Sequence, residues 1–123
     1  MIRLLAILML LATSPLAAQI MPQPDPANPR LQSVQALPGR EIMLAALPET
    51  DLTLLFPPYE SIRSVDADQS LVGYSVSPEL NALVLAPLAQ GSLGRVRVVT
   101  DRAIYQFSLR TGDDLMAAYV VRI

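Results

Sequence analysis

The sequence predicts an all-β fold, a small antiparallel β-sandwich of immunoglobulin-like type with about seven to nine short strands. Three observations carry this. From Gln32 onward apolar and polar residues alternate with a period near two, the repeat of a strand with one buried face. Turn-forming residues interrupt the alternation every six to ten positions. Eleven prolines stand beside only five glycines, which suits an irregular β protein better than a helical one.

The elements follow in chain order. Residues 1–18 read as a signal peptide. Arg3 supplies the positive charge, Leu4 to Ala12 the apolar stretch, and Pro15 to Ala18 the small-residue end. The apolar run is roughly half the ~20 residues a spanning helix needs. Cleavage after Ala18 is the expected outcome, which places the mature protein outside the inner membrane with no direct membrane span. Residues 19–33 form a proline-rich lead, with Pro22, Pro24, Pro26 and Pro29. Alternating prolines lack the N–H groups that helices and sheets need, so the lead is expected to be extended and solvated.

Residues 34–123 read as the sandwich domain. Strands are expected near 32–37, 41–47, 52–56, 61–65, 73–76, 82–86, 95–100, 103–109 and 116–123. The punctuation between them is "LPGR", "PETD", "PPYE", "DADQS", "SPELN", "AQGSLG", "TDR" and "RTGDD". Alternation also assigns faces. Ala103, Tyr105, Phe107 and Leu109 share one side of their strand and are expected in the core. Ile104, Gln106, Ser108 and Arg110 share the other. Val96 and Val98 are expected inward, with Arg95 and Arg97 outward; a one-residue slip would bury both arginines.

Composition removes much chemistry. With no Cys there is no disulfide, thiol nucleophile or Cys-zinc site, and with no His the commonest general base is missing. All nine basic residues are Arg, so Schiff-base chemistry and a P-loop lysine are excluded. A net charge of −2 without a basic cluster argues against nucleic acid as a partner. No cofactor or metal is expected. "DADQS" imitates the start of a calcium loop, but Leu71 stands where its glycine belongs and Ser77 where its closing Glu belongs. Ser75 in "GYSVS" lacks the second glycine of a nucleophile elbow. Asp113 and Asp114 are adjacent, a poor spacing for an acid–base pair on a strand.

The ordered segments "LTLLFPPYESIRSV", "NALVLAPL", "RVRVVTDRAIYQFSL" and "YVVRI" resemble the amino-terminal domain of the TrbG/CagX family. An apolar strand ending in Phe is matched by Leu52, Leu54 and Phe56. A Glu-x-Ile-x-x-Val piece is matched by Glu60, Ile62 and Val65, and an Asn-x-Leu-x-Leu-x-Pro piece by Asn81, Leu83, Leu85 and Pro87. The most distinctive piece, Val-x-Thr-x-Arg-x-x-Tyr-x-Phe-x-Leu, is matched by Val98, Thr100, Arg102, Tyr105, Phe107 and Leu109. Tyr119, Val121 and Ile123 fill the closing piece. The resemblance covers residues 40–123; Tyr74, Ala86 and Gly94–Arg95 depart from the pattern. Family members usually carry a second β domain beyond this one.

The resemblance implies a non-enzymatic periplasmic subunit of a type IV secretion or conjugal transfer apparatus, associated with its outer-membrane core complex. The implied partners are other core subunits, or further copies of the chain in a homo-oligomeric ring. Arg95, Arg97 and Arg102 are the candidate partner-binding residues, since Arg suits pairing with a neighbour's carboxylate. Two alternatives stay open: an amino-terminal-type β domain of a pilus or secretin assembly system, and a small periplasmic ligand-binding β domain.

Overall fold

The computed structural model describes residues 19–123. The signal peptide read at 1–18 lies outside the described residues. Twelve strands make two sheets that pack face to face, and the expected sandwich is present. The strands are β1 (Gln19–Ile20), β2 (Gln23–Pro24), β3 (Leu31–Ser33), β4 (Glu41–Ala46), β5 (Leu52–Leu55) and β6 (Ile62–Asp66). They continue as β7 (Val72–Val76), β8 (Ala82–Pro87), β9 (Ser92–Thr100), β10 (Ile104–Thr111), β11 (Ala117–Ala118) and β12 (Val120–Arg122). The first sheet runs β1-β4-β10-β9-β6, with β11 also on β4; the second runs β2-β3-β12-β5-β8-β7.

The sheets are mixed rather than antiparallel throughout. β4 pairs in parallel with β1, β10 and β11, and β12 pairs in parallel with β3 and β5. The cause is the path of the chain, which crosses between sheets after β1, β3, β4, β5, β6, β8 and β11. A strand that returns after such a crossing can lie parallel to its neighbour, whereas a tight hairpin forces antiparallel pairing.

The proline-rich lead is not a solvated arm. β1 pairs with the start of β4, and β2 pairs with β3. Pro24 is accommodated because β2 is an edge, where a missing N–H costs no ladder bond. Between β2 and β3, Asp25 and Asn28 accept the N–H groups of Ala27 and Arg30, so side chains close the turn. The expected last strand, 116–123, divides in two. Ala117 and Ala118 are buried on the first sheet, the chain turns at exposed Tyr119, and β12 joins the second.

The facing of β9 and β10 follows the alternation. Val96, Val98 and Phe107 are fully buried, while Arg95, Arg97, Ile104 and Gln106 are exposed. Phe56, Tyr105 and Phe107 form an aromatic triangle in the core, with centroids 5.1–6.4 Å apart. β9 begins three residues earlier than expected. Gly94, at φ +82°, stands at a bulge opposite Leu109 and Arg110 and turns Leu93 back into the core.

Candidate functional site

The most organised polar feature lies where the β9–β10 turn meets the loop entering β6. Glu60 is buried, 4% exposed, at the end of the "PPYE" turn. Its Oε1 accepts a 2.6 Å hydrogen bond from Thr100 Oγ1 and another of 2.6 Å from Tyr105 Oη. Thr100 Oγ1 also accepts the N–H groups of Arg102 and Ala103, at 3.1 and 3.0 Å. One hydroxyl therefore closes the hairpin turn and ties it to the acid. Ser61 and Asp101 add a reciprocal pair: Ser61 N–H donates to Asp101 Oδ1 and Asp101 N–H donates to Ser61 O. A buried polar group is tolerated when it is bonded in this way.

The network raises the pKa of Tyr105 well above the ordinary tyrosine value. Burial is the main cause, followed by the hydrogen bond to Glu60 and then the negative charge of Glu60 and a smaller contribution from Tyr59. On the outer side of the same turn, the Arg102 guanidinium lies 4.9 Å from the Tyr59 ring centroid.

A cleft of about 530 Å³ opens beside this network, between the 36–40 turn and the start of β10. Leu37, Ile42 and Ile104 give it apolar walls, and Arg40 and Arg102 stand at its border. Neither arginine forms an ion pair among the described residues. The chemistry of this lining suits a carboxylate-bearing group with an apolar neighbour.

The three candidate arginines are not brought together. Arg102 borders the cleft. Arg95 and Arg97 lie on the outer face of the first sheet, around a depression of about 370 Å³ shared with Asp66, Asp68 and Gln106. Arg95 has a partner within the chain, since its Nε lies 3.6 Å from Glu41 Oε2. That pair is weak, because the Arg95 side chain is 77% exposed.

Of the remaining sequence motifs, Ser75 lies within strand β7, and the two acidic ones are turns. Asp68 accepts both the N–H and the hydroxyl of Ser70, and these two bonds lower its pKa. Asp114 is bonded by Arg110 and accepts the N–H of Met116. Arg30 and Gln32 donate to backbone oxygens of the 113–117 loop, locking it against β3. No group of three or more acidic side chains is placed to hold a metal among the described residues.

Glu60 is the site residue that reading from composition and motif chemistry passes over. It lies in the loop before β6 rather than in an alternating strand, and it is marked in the sequence only by the matched Glu-x-Ile-x-x-Val piece. No family model matches the chain, and no curated protein matches it at a significant level.

Proposed function

We propose that the chain is a non-enzymatic periplasmic structural subunit of a type IV secretion or conjugation apparatus, of the TrbG/CagX amino-terminal type. It acts by protein–protein assembly. The observation that supports this most is the Glu60–Thr100–Tyr105 network. Those three residues belong to two pieces of the resemblance, the most distinctive one and the Glu-x-Ile-x-x-Val piece, which lie some forty residues apart in sequence. Their meeting at one carboxyl group gives the shared residue types a common physical purpose: a rigid corner that presents Tyr59 and Arg102 outward.

In this reading the corner and its cleft are an assembly surface. Arg40 and Arg102 pair with carboxylates of a neighbouring core subunit, while Leu37 and Ile104 pack under its apolar side chains. The outer face carrying Arg95 and Arg97 is the weaker candidate, since Arg95 is already engaged by Glu41.

The test is cross-linking in the native host with a photoreactive residue at Ile104, followed by mass spectrometry of the captured chains. Capture of secretion-apparatus core subunits supports the reading. Capture of no apparatus subunit, from a host shown to express them, overturns it. The cleft also favours a second reading, a ligand-binding β domain for an anionic molecule with an apolar part. Native mass spectrometry of the protein purified from its host distinguishes this: a bound small molecule lost in Arg40→Ala favours it.

A further inference from the structure

The sandwich guards its two sides differently. On one side β4 is covered by β1 and β11, and β3 is covered by β2. On the other side, β6 and β7 leave their outer edges unpaired among the described residues. β6 carries Arg63 and Asp66 and is broken by an irregularity between Ile62 and Ser64. Charges and bulges of this kind blunt an edge against further pairing. β7, Val72-Gly73-Tyr74-Ser75-Val76, has no charge, no proline and an uninterrupted register with β8.

The bonding groups of β7 are arranged symmetrically. Leu88 N–H donates to Leu71 O, and Ser77 N–H donates to Ala82 O. Antiparallel ladders alternate, so Gly73 and Ser75 bond to β8 while Tyr74 and Val76 direct their backbone groups outward. Val72 N–H is taken by Asp68 O, leaving the Val72 carbonyl outward. Within the outward set, the Val72 carbonyl, both Tyr74 groups and the Val76 N–H are self-complementary about Tyr74, and the Val76 carbonyl is left over.

We propose that β7 is a self-pairing edge, on which two copies of the chain join antiparallel about a two-fold axis at Tyr74. The Tyr74 backbone exchanges bonds with the partner's Tyr74, and Val76 N–H meets the carbonyl of the partner's Val72. Gly73 then lies opposite the partner's Ser75. Charge supports a second copy as the occupant. Tyr74 Oη reaches to 3.5 Å from Val65 O, which places β6 beside the axis. Arg63 and Asp66 stand before and after Val65 along β6, so the two-fold brings Arg63 toward the partner's Asp66, which also lies opposite Arg97 of its own chain. The contact is isologous and closes at two copies. It requires nothing of the assembly reading above.

The register supplies its own test. A side chain fits at Gly73, where an added Cβ meets only the Cβ and carbonyl oxygen of Ala86 at 3.8 and 4.0 Å. Gly73→Lys with Ser75→Lys sets like charges opposite each other across the axis, twice. Gly73→Lys with Ser75→Glu sets opposite charges there instead. Sedimentation velocity over a concentration series should show a wild-type dimer. The lysine pair should dimerise roughly tenfold more weakly than the lysine–glutamate pair. Circular dichroism melts check folding; if the lysine pair melts early, Ser75→Lys alone, at an exposed position, should weaken the dimer in the same direction. A wild type that stays monomeric throughout the series overturns the proposal. So does a dimer equally strong in all variants, which would place the contact on another face.

Discussion

Tyr105 and Glu60 are joined by a 2.6 Å hydrogen bond inside the sandwich, although they lie on different strands' approaches and 45 positions apart. The phenol ring belongs to the core aromatic triangle and its hydroxyl belongs to the polar corner. One side chain thus couples hydrophobic packing to the geometry of the β9–β10 turn.

That coupling predicts a pH dependence. The folded-state pKa of Tyr105 is raised, so folding favours its neutral form. The stabilisation is complete below the ordinary tyrosine pKa of about 10, and is lost as pH rises from there toward the folded value. Tyr105→Phe should cost about 1–2 kcal/mol at pH 7. The gap between wild type and variant in urea melts should narrow as pH rises above about 10. A gap that stays constant to pH 11 contradicts this.

Removing the acid should cost more than removing one donor. Glu60→Leu leaves the hydroxyls of Thr100 and Tyr105 without their acceptor, and should destabilise by about 2–4 kcal/mol. Glu60→Gln keeps an acceptor oxygen and should cost roughly half as much. Chemical denaturation of both variants at neutral pH gives the comparison. Equal losses would mean that packing, not hydrogen bonding, is what Glu60 contributes.

The two faces of β10 should respond very differently. Phe107 is fully buried, and Phe107→Ala should cost about 3–5 kcal/mol. Ser108 is only partly buried on the outer face, and Ser108→Ala should change stability by no more than about 0.5 kcal/mol. Urea midpoints measured side by side are sufficient, and similar shifts would refute the assigned facing.

Leu80 offers a stabilising change. It sits at φ +63° in the β7–β8 turn, a region costly for a side chain with a Cβ, and it is 41% exposed. Its carbonyl accepts the Ile62 N–H at 2.7 Å, so the conformation is held by a bond to the start of β6. Leu80→Gly should raise stability by about 0.5–1 kcal/mol, read as a higher melting temperature. A lower melting temperature would show that the Leu80 side chain contributes more than its backbone costs.

Sequence periodicity reached the sandwich, its strand positions and the inward set Val96, Val98, Tyr105, Phe107 and Leu109, because facing is a local property of alternation. It stopped at Gly94, where a glycine-containing segment reads as a turn and is instead a bulge within β9. It misplaced the lead, since Pro24 excludes a central strand but not an edge. The parallel pairings of β4 and β12 were illegible, because the choice of neighbour depends on crossings between sheets that no local pattern records. The corner was legible in its parts, and Arg102 was singled out. The acid that organises it was visible only as a matched motif residue, because its bonding partners come from a strand still to be placed.

The position of β12 between β3 and β5 carries a consequence for how the molecule is made. Until Val120–Arg122 emerges, the second sheet exists as two separate pieces, β2-β3 and β5-β8-β7, with no strand to join them. A chain synthesised from its amino terminus therefore holds Leu54 and Leu83 without the completed sheet around them until β12 has been made. Closure is a late, long-range event of the slow kind. A partly made chain presents the bare edges of β3 and β5, the surfaces on which a holding chaperone would act.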